Sequence, residues 1–389
     1  MGETAMATAC WVCGRETHPF YRVDGVPTSS LALYNDSATA QRQPLGVLEL
    51  GVCSWCGFIQ NQAFDMAAVD YTAPYEESQA ASPTFQRFVE ATLEELIATH
   101  ELAGKHVFEV GSGKAEWLAT ACRLGEMTGL GVDPSYVPGR VDSEDVDRFE
   151  VVVDFFDADS DWTGDLIACR HTLEHVPDSA EFTGWMVAAA EKTPGSVVFI
   201  EVPDTGRILD EGAFWDVYYE HCAYFTKTSL SNLAGVVGMK IADLRTAYDD
   251  QYLLLQGSPG EGPDHMNADR IVEAAERFGR AARQQIEVWE KALGGAEGPV
   301  ALWGATSKTV AFVAATGDRP VAVADINPAK HGSFLPGTGL PVVSPEELVD
   351  YSPSLVVAMN PIYRNEIAAD LERLGITATL MALGEADES

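Results

Sequence analysis

The chain has 389 residues, 46% of them hydrophobic, and its 59 acidic and 25 basic residues give a formal net charge of −34. A chain this long exceeds one ordinary domain, so we expect two or three domains with packed cores. The acidic surface repels phosphate backbones and anionic lipids, which argues against nucleic-acid and membrane partners. The stretch MGETAMATAC lacks a basic region and an apolar segment, so it predicts no signal peptide. We therefore expect a cytoplasmic protein.

The pattern along the chain predicts three domains of α/β class. Short strands and turns dominate residues 1–70, which we interpret as a small first domain. A helical pattern at 82–100 and strands alternating with helices then fill residues 71–245, which predicts a doubly wound parallel sheet. A long amphipathic helix at about 267–295 leads into a second alternating unit, so residues 246–389 form the third predicted domain.

Two CxxC pairs lie in the first domain, Cys10-Trp-Val-Cys13 and Cys53-Ser-Trp-Cys56. Each pair places two thiolates on one tight turn, and two such turns supply the four tetrahedral ligands of a zinc ion. Four thiolates close the coordination sphere, so the pattern predicts structural Zn²⁺ rather than a catalytic metal. Free buried cysteines and a redox pair are the alternatives, and two matched pairs favour zinc. The total of seven cysteines argues against a disulfide framework.

The segment EVGSGKAEW follows a predicted strand and opens a helix. Gly111 and Gly113 let the backbone approach a ligand at the carboxyl end of the strand, and Glu109 lies two residues before the first glycine. A dinucleotide fingerprint would continue with a third glycine, whereas Glu116 here would repel a pyrophosphate. The pattern resembles motif I of class I methyltransferases, which bind S-adenosylmethionine (SAM), a ligand without phosphate.

Three further residues extend this cofactor site along the predicted sheet. Asp133 ends the second strand, where a carboxylate would accept hydrogen bonds from both ribose hydroxyls of SAM. Asp154 and Phe155 end the third strand, where the edge and face of the adenine would lie. In the alternative interpretation, Asp133 is a turn residue before Pro134 and Phe155 belongs to the core.

The segment CRHTLEHVPD follows the fourth strand and carries two histidines four residues apart. A helical turn would place His171 and His175 on one face. Such a pair can bind a metal, but Glu174 between them does not follow the HExxH order. We expect His171 near the methionine end of SAM, and His175 on the substrate side or in a structural role.

The segment WDVYYEHCAYFTKTSL holds the densest group of polar aromatic residues. Tyrosine and histidine are suited to remove a proton beside a carbonyl, and glutamate can orient or bind. Tyr218, Glu220 and His221 are therefore candidate catalytic residues. Tyr219 and Tyr224 are candidate substrate contacts. The alternative is a lid segment held by hydrogen-bonded aromatic side chains.

In the last domain, LWGATSKTVAF resembles a phosphate-binding turn, but Gly304 stands alone and no P-loop is completed. Asp325 ends the next strand, as a ribose-binding acid would, which makes NAD binding an alternative. Lys308 could face a diphosphate as a point charge. It could equally be an exposed lysine of a scaffold domain.

These motifs together resemble, over nearly the whole chain, the three-part methyltransferases that include the C-methyltransferases of nucleotide-linked deoxyketosugars. The resemblance rests on the paired CxxC, EVGSGKAEW, YEHCAYF, GATSK and DINPAKHGSFLPGTGLPV. It implies a zinc-binding domain, a class I SAM-binding domain and a Rossmann-like domain that helps to hold the substrate. It also implies that Tyr75 lies at the active site, and that Tyr218, Glu220 and His221 match the family pattern Y-x-E-H. In that family a His/Tyr pair deprotonates the carbon next to a ketone, and the enolate attacks the SAM methyl group.

Two segments depart from the sugar enzymes on the substrate side: SPTFQRFVEA replaces S-x-x-x-M-R-x-H-F, and AYDDQYLLLQG replaces H-G-G-S-[LI]-R. The predicted function is SAM-dependent C-methylation next to a carbonyl of a nucleotide-linked sugar or a related small biosynthetic intermediate. The alternatives are N- or O-methylation in a natural-product pathway, NAD(P)-dependent oxidoreduction, and a zinc-ribbon binding module with a decayed enzyme domain. We expect a monomer or a weak homo-oligomer.

Overall fold

The computed structural model describes residues 8–30, 32, 34–69, 82–139, 146–317 and 319–384. Within these ranges the strands form three sheets of four, seven and five strands. Tyr75 lies outside the described residues. No helix in the described ranges is long and apolar enough to cross a membrane.

The first sheet is antiparallel, with the order β1-β2-β3-β9. Its strands are β1 (Thr17–Pro27), β2 (Leu45–Cys53), β3 (Ile59–Asn61) and β9 (Ala223–Tyr224). A short helix, α1 (Ser37–Gln41), begins after Asp36, whose side chain accepts a hydrogen bond from the Thr39 amide. Strand β9 comes from much later in the chain, directly after His221. The segment predicted to be catalytic is therefore anchored in the first sheet.

The central sheet has the order β10-β11-β8-β7-β4-β5-β6. Its strands are β4 (His106–Val110), β5 (Thr128–Val132), β6 (Phe149–Val152), β7 (Leu166–Arg170), β8 (Val197–Pro203), β10 (Met239–Ala247) and β11 (Tyr252–Pro259). Strand β11 is antiparallel to both of its neighbours, and the other pairings are parallel. The doubly wound sheet predicted for this region is thus present, with one reversed strand near its edge.

Helices cover both faces of the central sheet. They are α2 (Pro83–His100), α3 (Glu116–Gly125), α4 (Ser179–Glu191) and α6 (Lys227–Val236). Helix α5 (Thr205–Glu211) instead buries Ile208 and Leu209 in the core that the first and third domains share. Helix α2 begins as its sequence predicts, with the Ser82 hydroxyl accepting from the Phe85 amide and a proline in the first turn. Apolar side chains fill the faces between these helices and strands β4, β7 and β8.

The third sheet is parallel, with the order β14-β13-β12-β15-β16. Its strands are β12 (Val300–Trp303), β13 (Pro320–Ala324), β14 (Val342–Val343), β15 (Leu355–Ala358) and β16 (Thr379–Ala382). The accompanying helices are α7 (Asp269–Gly294), α8 (Ser307–Thr316) and α9 (Arg364–Leu374). The second alternating unit of the sequence accordingly forms a second Rossmann-like domain.

The long helix α7 joins the outer domains rather than acting as a free linker. Its Phe278 ring lies edge-on to Tyr21 of β1, at 4.9 Å between centroids. Its Trp289 ring meets Phe312 of α8 at 5.3 Å. Burying aromatic side chains of this size stabilises a contact by roughly 2–3 kcal/mol each. The first and third domains therefore share one apolar core along α7.

The predicted boundary after residue 245 is wrong in its position. It divides the central sheet, because β10 continues to Ala247 and β11 pairs with β8 from Tyr252 to Gly257. The catalytic domain therefore extends past Pro259, and α7 begins the next unit at Asp269. An alternating apolar pattern identifies a strand but does not say which sheet the strand joins.

Candidate active site

A cavity of about 1230 Å³ runs between the central sheet and the third sheet. In the central sheet the strand order reverses between β4 and β7, and in the third sheet it reverses between β12 and β15. Ligands of open α/β sheets bind outside the carboxyl ends of the strands at such switch points. The loops after all four of these strands line the cavity. Both domains thus contribute their ligand-binding edge to one space.

The glycine turn after β4 forms one wall of this cavity. Gly111 has a φ of +70°, and a β-carbon there would overlap the Thr172 side chain. Gly113 has a φ of +52°, and its amide donates a 2.8 Å hydrogen bond to Asp133 Oδ2. Asp133, at the end of β5, therefore holds the turn in place, and the backbone of the turn is accessible to a ligand.

The residues predicted around ribose and adenine line the same wall. Asp133 Oδ1 also accepts from the Ser135 amide at 2.8 Å, so this carboxylate has a turn-forming role besides facing the cavity. Asp154 is exposed and accepts from the Phe155 amide. Phe155 is 56% exposed and lines the cavity, which rules out its interpretation as a core residue.

Glu109 is the most unusual group of this wall. It is only 2% exposed, and its Oε2 atom has no hydrogen-bond partner among the described residues. Burial raises the pKa of Glu109 to about 8, although Arg170 opposes the shift. A buried carboxylate with an unsatisfied oxygen fits a ligand that brings a cation or a donor, such as the ammonium group of SAM.

Arg170, His171 and Glu201 form a buried charge cluster at the carboxyl ends of β7 and β8. Glu201 accepts from Arg170 Nη2 at 2.7 Å and lies 2.8 Å from His171 Nε2. Burial alone would lower the pKa of His171, but Glu174 and Glu201 outweigh it and raise the pKa to about 9. His171 is therefore a cation on the cavity wall. Our sequence reasoning missed Arg170 and Glu201; an acid inside the apolar run of β8 was the available signal.

The helical turn predicted to hold His171 and His175 on one face is wrong. The turn is a 3-10 turn over Leu173–His175, and His171 lies outside it with a φ of +48°. His175 instead contacts the Tyr218–His221 segment, with its Nδ1 atom 2.9 Å from the Glu220 carbonyl oxygen. Because that carbonyl can only accept, the proton of His175 is placed on Nδ1.

His221 lines the cavity between the rings of Tyr218 and His175. Its ring is 4.2 Å from the Tyr218 ring and 4.8 Å from the His175 ring, measured between centroids. Burial lowers the pKa of His221 well below 6.5, and the nearby histidines act in the same direction. Burial also raises the pKa of Tyr218 well above 10. The pair therefore combines a neutral imidazole, able to accept a proton, with a phenol that stays protonated.

Glu220 turns its carboxylate away from His221 and toward the first domain. Glu220 Oε2 accepts from the Ser30 amide at 2.8 Å and also from the Ser30 hydroxyl. The Ser30 hydroxyl further contacts Ser307 Oγ at 2.8 Å. Burial raises the pKa of Glu220, and the hydrogen bonds from Ser30 oppose this shift. These contacts join the Tyr218–His221 segment to the first domain, and Ser30 in turn contacts the third domain.

Two predicted substrate contacts are wrong, since neither Tyr219 nor Tyr224 lines the cavity. The Tyr219 hydroxyl accepts from the Asp65 amide at 2.9 Å, so the ring packs on the first domain. The Tyr224 hydroxyl donates to the Tyr218 carbonyl at 3.0 Å, and the side chain is buried in strand β9. Both tyrosines therefore fix the Tyr218–His221 segment through contacts outside the cavity.

Lys308 lies on the cavity wall at the amino end of α8. Its Nζ atom is 2.6 Å from Asp216 Oδ1, and Asp216 also accepts from Arg207 Nη2 at 2.6 Å. Burial lowers the pKa of Lys308, and Asp216 opposes that shift. The side chain of Lys308 is only 20% exposed, so the exposed-lysine interpretation is wrong. Arg207 also pairs with Glu211 at 2.7 Å, so two carboxylates balance the two cations at this end of the cavity.

Asp325 holds the glycine turn of the third domain in the way that Asp133 holds the turn of the second. Asp325 Oδ2 accepts from the Ala305 amide at 2.8 Å and lies 3.3 Å from Lys330 Nζ. Lys330 is buried and was not singled out from the sequence. The carboxylate of Asp325 is therefore engaged within its own domain.

The four cysteines of the two CxxC pairs converge in the first domain. The sulfurs of Cys10 and Cys56 are 3.6 Å apart, those of Cys13 and Cys53 are 3.5 Å apart, and all four lie within 4.8 Å of one another. A tetrahedron of Zn–S bonds of about 2.3 Å places its sulfurs roughly 3.8 Å apart. None of these cysteines forms a disulfide. The cluster fits a zinc ion in chemistry and in spacing.

Two domain models, one curated relative and two solved structures are similar to parts of this chain. A methyltransferase domain model matches residues 81–244, and a C-methyltransferase C-terminal domain model matches residues 274–378. The C-methyltransferase NovU of Streptomyces niveus is 25% identical over 394 residues, covering 92% of this chain and 90% of NovU. Magnesium protoporphyrin IX methyltransferase from Synechocystis PCC 6803 is 14% identical, with a TM-score of 0.36, over 46% of this chain and 84% of that one. The 1,6-didemethyltoxoflavin-N1-methyltransferase of Burkholderia thailandensis is 15% identical, with a TM-score of 0.34, over 46% and 82%.

The strand order, the glycine turn and the matching domain models define a class I SAM-dependent methyltransferase. The chain is an enzyme of this class, and it carries a C-methyltransferase-type C-terminal domain behind its catalytic domain.

Proposed function

We propose that the enzyme methylates a carbon atom next to a carbonyl group in a nucleotide-linked sugar or a related small biosynthetic intermediate. The observation that carries this proposal is the pairing of a buried neutral His221 with Tyr218, 4.2 Å apart between ring centroids. A carbon acceptor must lose a proton to become a nucleophile, and this pair provides a base beside a hydrogen-bond donor. The C-methyltransferase name of the relative NovU agrees with a carbon acceptor.

The residues divide the chemistry between them. His221 accepts the proton from the carbon beside the carbonyl, and the electron pair of the broken C–H bond forms the enolate. The Tyr218 hydroxyl donates a hydrogen bond to the oxygen on which negative charge develops. SAM, when bound, would supply the methyl group of its sulfonium: a bond would form between the enolate carbon and the methyl carbon as the S–CH₃ bond breaks, with S-adenosylhomocysteine as the leaving group. Since this displacement needs the two reacting atoms in line, holding both ligands in one cavity is a main contribution of the protein.

The cofactor wall would hold SAM through the residues described above. Asp133 would accept from the ribose hydroxyls, and Phe155 would cover a face of the adenine. Glu109 and the glycine turn would contact the methionine end. The cationic His171 lies on the same wall and suits the methionine carboxylate.

Two cations that line the cavity, Lys308 of α8 and Arg207 of α5, support an anionic substrate group. Lys308 pairs with Asp216, and Arg207 pairs with Asp216 and Glu211, so a diphosphate would compete with these carboxylates for the cations. Lys308 is close enough to act on the pKa of His221, so a nucleotide held by Lys308 would place its sugar near His221. We also propose that the four-cysteine cluster of the first domain binds one structural Zn²⁺.

The reaction can be tested with SAM carrying a ¹³C-methyl group and a panel of nucleotide-linked ketodeoxysugars. We expect an NMR correlation that joins the new methyl group directly to a ring carbon. With substrate, S-adenosylhomocysteine and D₂O, we expect enzyme-dependent exchange of the proton on that carbon. A methyl group found on oxygen or nitrogen would contradict the proposal. So would turnover without any exchangeable carbon-bound proton.

A further inference from the structure

Glu174 is a buried acid that the mechanism above does not use. It lies in the 3-10 turn after β7 with only 1% of its surface exposed, and its side chain lines the cavity. Neither carboxylate oxygen has a hydrogen-bond partner among the described residues. Its backbone is fixed, since the Glu174 carbonyl accepts from the Cys222 amide at 2.9 Å. A buried carboxylate without hydrogen bonds is costly and calls for a functional explanation.

Two histidines flank this carboxylate. Glu174 Oε1 is 3.5 Å from His171 Nδ1 and 4.0 Å from His221 Nε2. His171 already has a closer anion, because Glu201 lies 2.8 Å from its other nitrogen. His221 has no second carboxylate of this kind among its described contacts. The larger effect of Glu174 on the reaction is therefore expected through His221.

We propose that Glu174 is a positioning residue for the base. Its carboxylate keeps the proton of neutral His221 on Nε2, which leaves Nδ1 to accept the substrate proton, and it stabilises the imidazolium that results. This arrangement follows the pattern of other carboxylate–histidine pairs. The inference rests on the proposed function, because only a reaction that protonates His221 gives Glu174 this role.

The surroundings of His221 show why such an anion is needed. His175 and His171 on the turn side and Lys308 of α8 all disfavour a positive charge on His221, as does burial. Its own segment contributes only the phenols of Tyr218 and Tyr224. The carboxylate of Glu174 is the anion that the structure places beside His221 Nε2, at 4.0 Å. The 4.0 Å separation is long for a hydrogen bond, and such contacts commonly tighten when substrate binds.

The kinetic test uses Glu174→Gln, which removes the charge of the side chain and keeps its shape. We expect kcat to fall roughly 100-fold or more, with KM and the Kd of SAM within a few-fold. Because loss of the anion lowers the pKa of His221, the acid limb of the kcat profile should move to lower pH. Glu174→Asp should restore part of kcat. A Glu174→Gln enzyme with kcat within a few-fold of wild type and an unmoved pH profile would overturn the inference.

A second measurement needs no substrate. In ¹⁵N-histidine NMR of the full-length protein, with His221→Gln used for assignment, we expect wild-type His221 as the Nε2–H tautomer. Glu174→Gln should shift it toward a mixture. If the tautomer behaves this way but no carbon methylation occurs, the proposed function fails while the placement of the proton stands. If the tautomer does not change, the inference fails whatever the reaction is.

Metal analysis is a third test, because Glu174, His175 and His221 bring three potential ligand atoms within 4.8 Å of one another. We expect the same zinc content in wild type and Glu174→Gln. A second metal equivalent that disappears in the variant would make Glu174 a metal ligand and overturn the positioning role.

Discussion

The hydroxyl groups of Ser30 and Ser307 lie 2.8 Å apart although 277 positions separate them in the chain. The first belongs to the amino-terminal domain and the second opens helix α8 of the last domain. Ser30 also donates to Glu220, so the first domain contacts the segment that carries His221 and is itself contacted by the last domain. The position of His221 therefore depends on residues outside the catalytic domain.

Ser30→Ala should weaken this junction, because it removes a hydroxyl donor from the buried carboxylate of Glu220. A lost hydrogen bond to a buried charged group costs about 1–3 kcal/mol. We expect that loss in the free energy of unfolding and a lower kcat, with the Kd of SAM unchanged. Ser29→Ala is the matched control, since its hydroxyl is 3.4 Å from the same carboxylate and should matter less. Equal effects of the two substitutions would contradict this account.

His221→Ala should abolish methyl transfer while the Kd of SAM stays within a few-fold, because His221 lies on the substrate side of the cavity. Loss of a general base lowers kcat about 100- to 10,000-fold. Product formation and isothermal titration with SAM measure the two quantities. His265→Ala is the control, because His265 is exposed and its ring stacks on Trp55 rather than lining the cavity. Full activity of His221→Ala would remove it from catalysis.

Glu109→Gln should separate cofactor binding from stability. The pKa of Glu109 is about 8 when folded and 4.5 in its ordinary state, so between these pH values the folded protein holds one more proton than the unfolded chain. Stability due to Glu109 is therefore complete below pH 4.5 and is lost as pH rises to 8, at up to about 1.4 kcal/mol per pH unit.

A glutamine at position 109 does not titrate, so the variant does not lose stability as the pH rises. We therefore expect ligand-free Glu109→Gln to unfold at a higher temperature than wild type at about pH 8.5. At about pH 4 the two unfolding temperatures should be similar. The same variant should bind SAM roughly 10-fold or more weakly, since a charged hydrogen bond is lost. Thermal unfolding across pH and calorimetric titration measure both. Surface Glu191→Gln should change neither. Unaltered SAM affinity would show that Glu109 does not contact the cofactor.

Phe155→Ala tests the proposed adenine contact against a neighbour of equal exposure. Phe155 and Val153 are both 56% exposed, but only Phe155 lines the cavity. Both alanine variants should change the free energy of unfolding by less than about 0.5 kcal/mol. Phe155→Ala alone should weaken SAM binding, by about 0.5–1.5 kcal/mol or more. Similar SAM affinities of the two variants would argue against the contact.

Cys53→Ser should release the metal and loosen the first sheet. We expect about one zinc per chain in wild type by mass spectrometry of metals and a large loss in the variant, since three thiolates bind zinc less tightly. Cys122→Ala, which removes a thiol of helix α3 outside the cluster, should keep its zinc. A folded wild-type protein without metal would refute the site.

Local signals were sufficient to place the cavity wall that the glycine turn forms. A glycine turn, a helix start at Ser82 and acids at strand ends depend on neighbouring residues, and each is where its pattern indicates. The wall around Tyr218 and His221 was harder, because residues 217–222 form a turn and loops with no regular side-chain period. Tyr218 lines the cavity, whereas Tyr219 contacts Asp65 and Tyr224 contacts the Tyr218 carbonyl, and composition alone does not distinguish them.

The charge cluster depends on contacts between distant residues. Glu201 lies inside an apolar strand. Its charge is compensated by Arg170 at the end of the neighbouring strand and by His171 just after it. Glu174 likewise gains significance only when the fold brings His221 to within 4.0 Å. Such pairings are set by strand register and by the path of a loop, which single-sequence periodicity does not encode.

Strand β9 has a practical consequence for building new enzymes from this one. Because two residues of the catalytic chain complete the amino-terminal sheet, the module cannot be cut off or exchanged as an independent part. A chimera that swaps only residues before α2 would mismatch Ile59 with Tyr224 and displace the loop that holds the base. A chimera should therefore take the amino-terminal module and the segment from Phe214 to Tyr224 from the same parent enzyme.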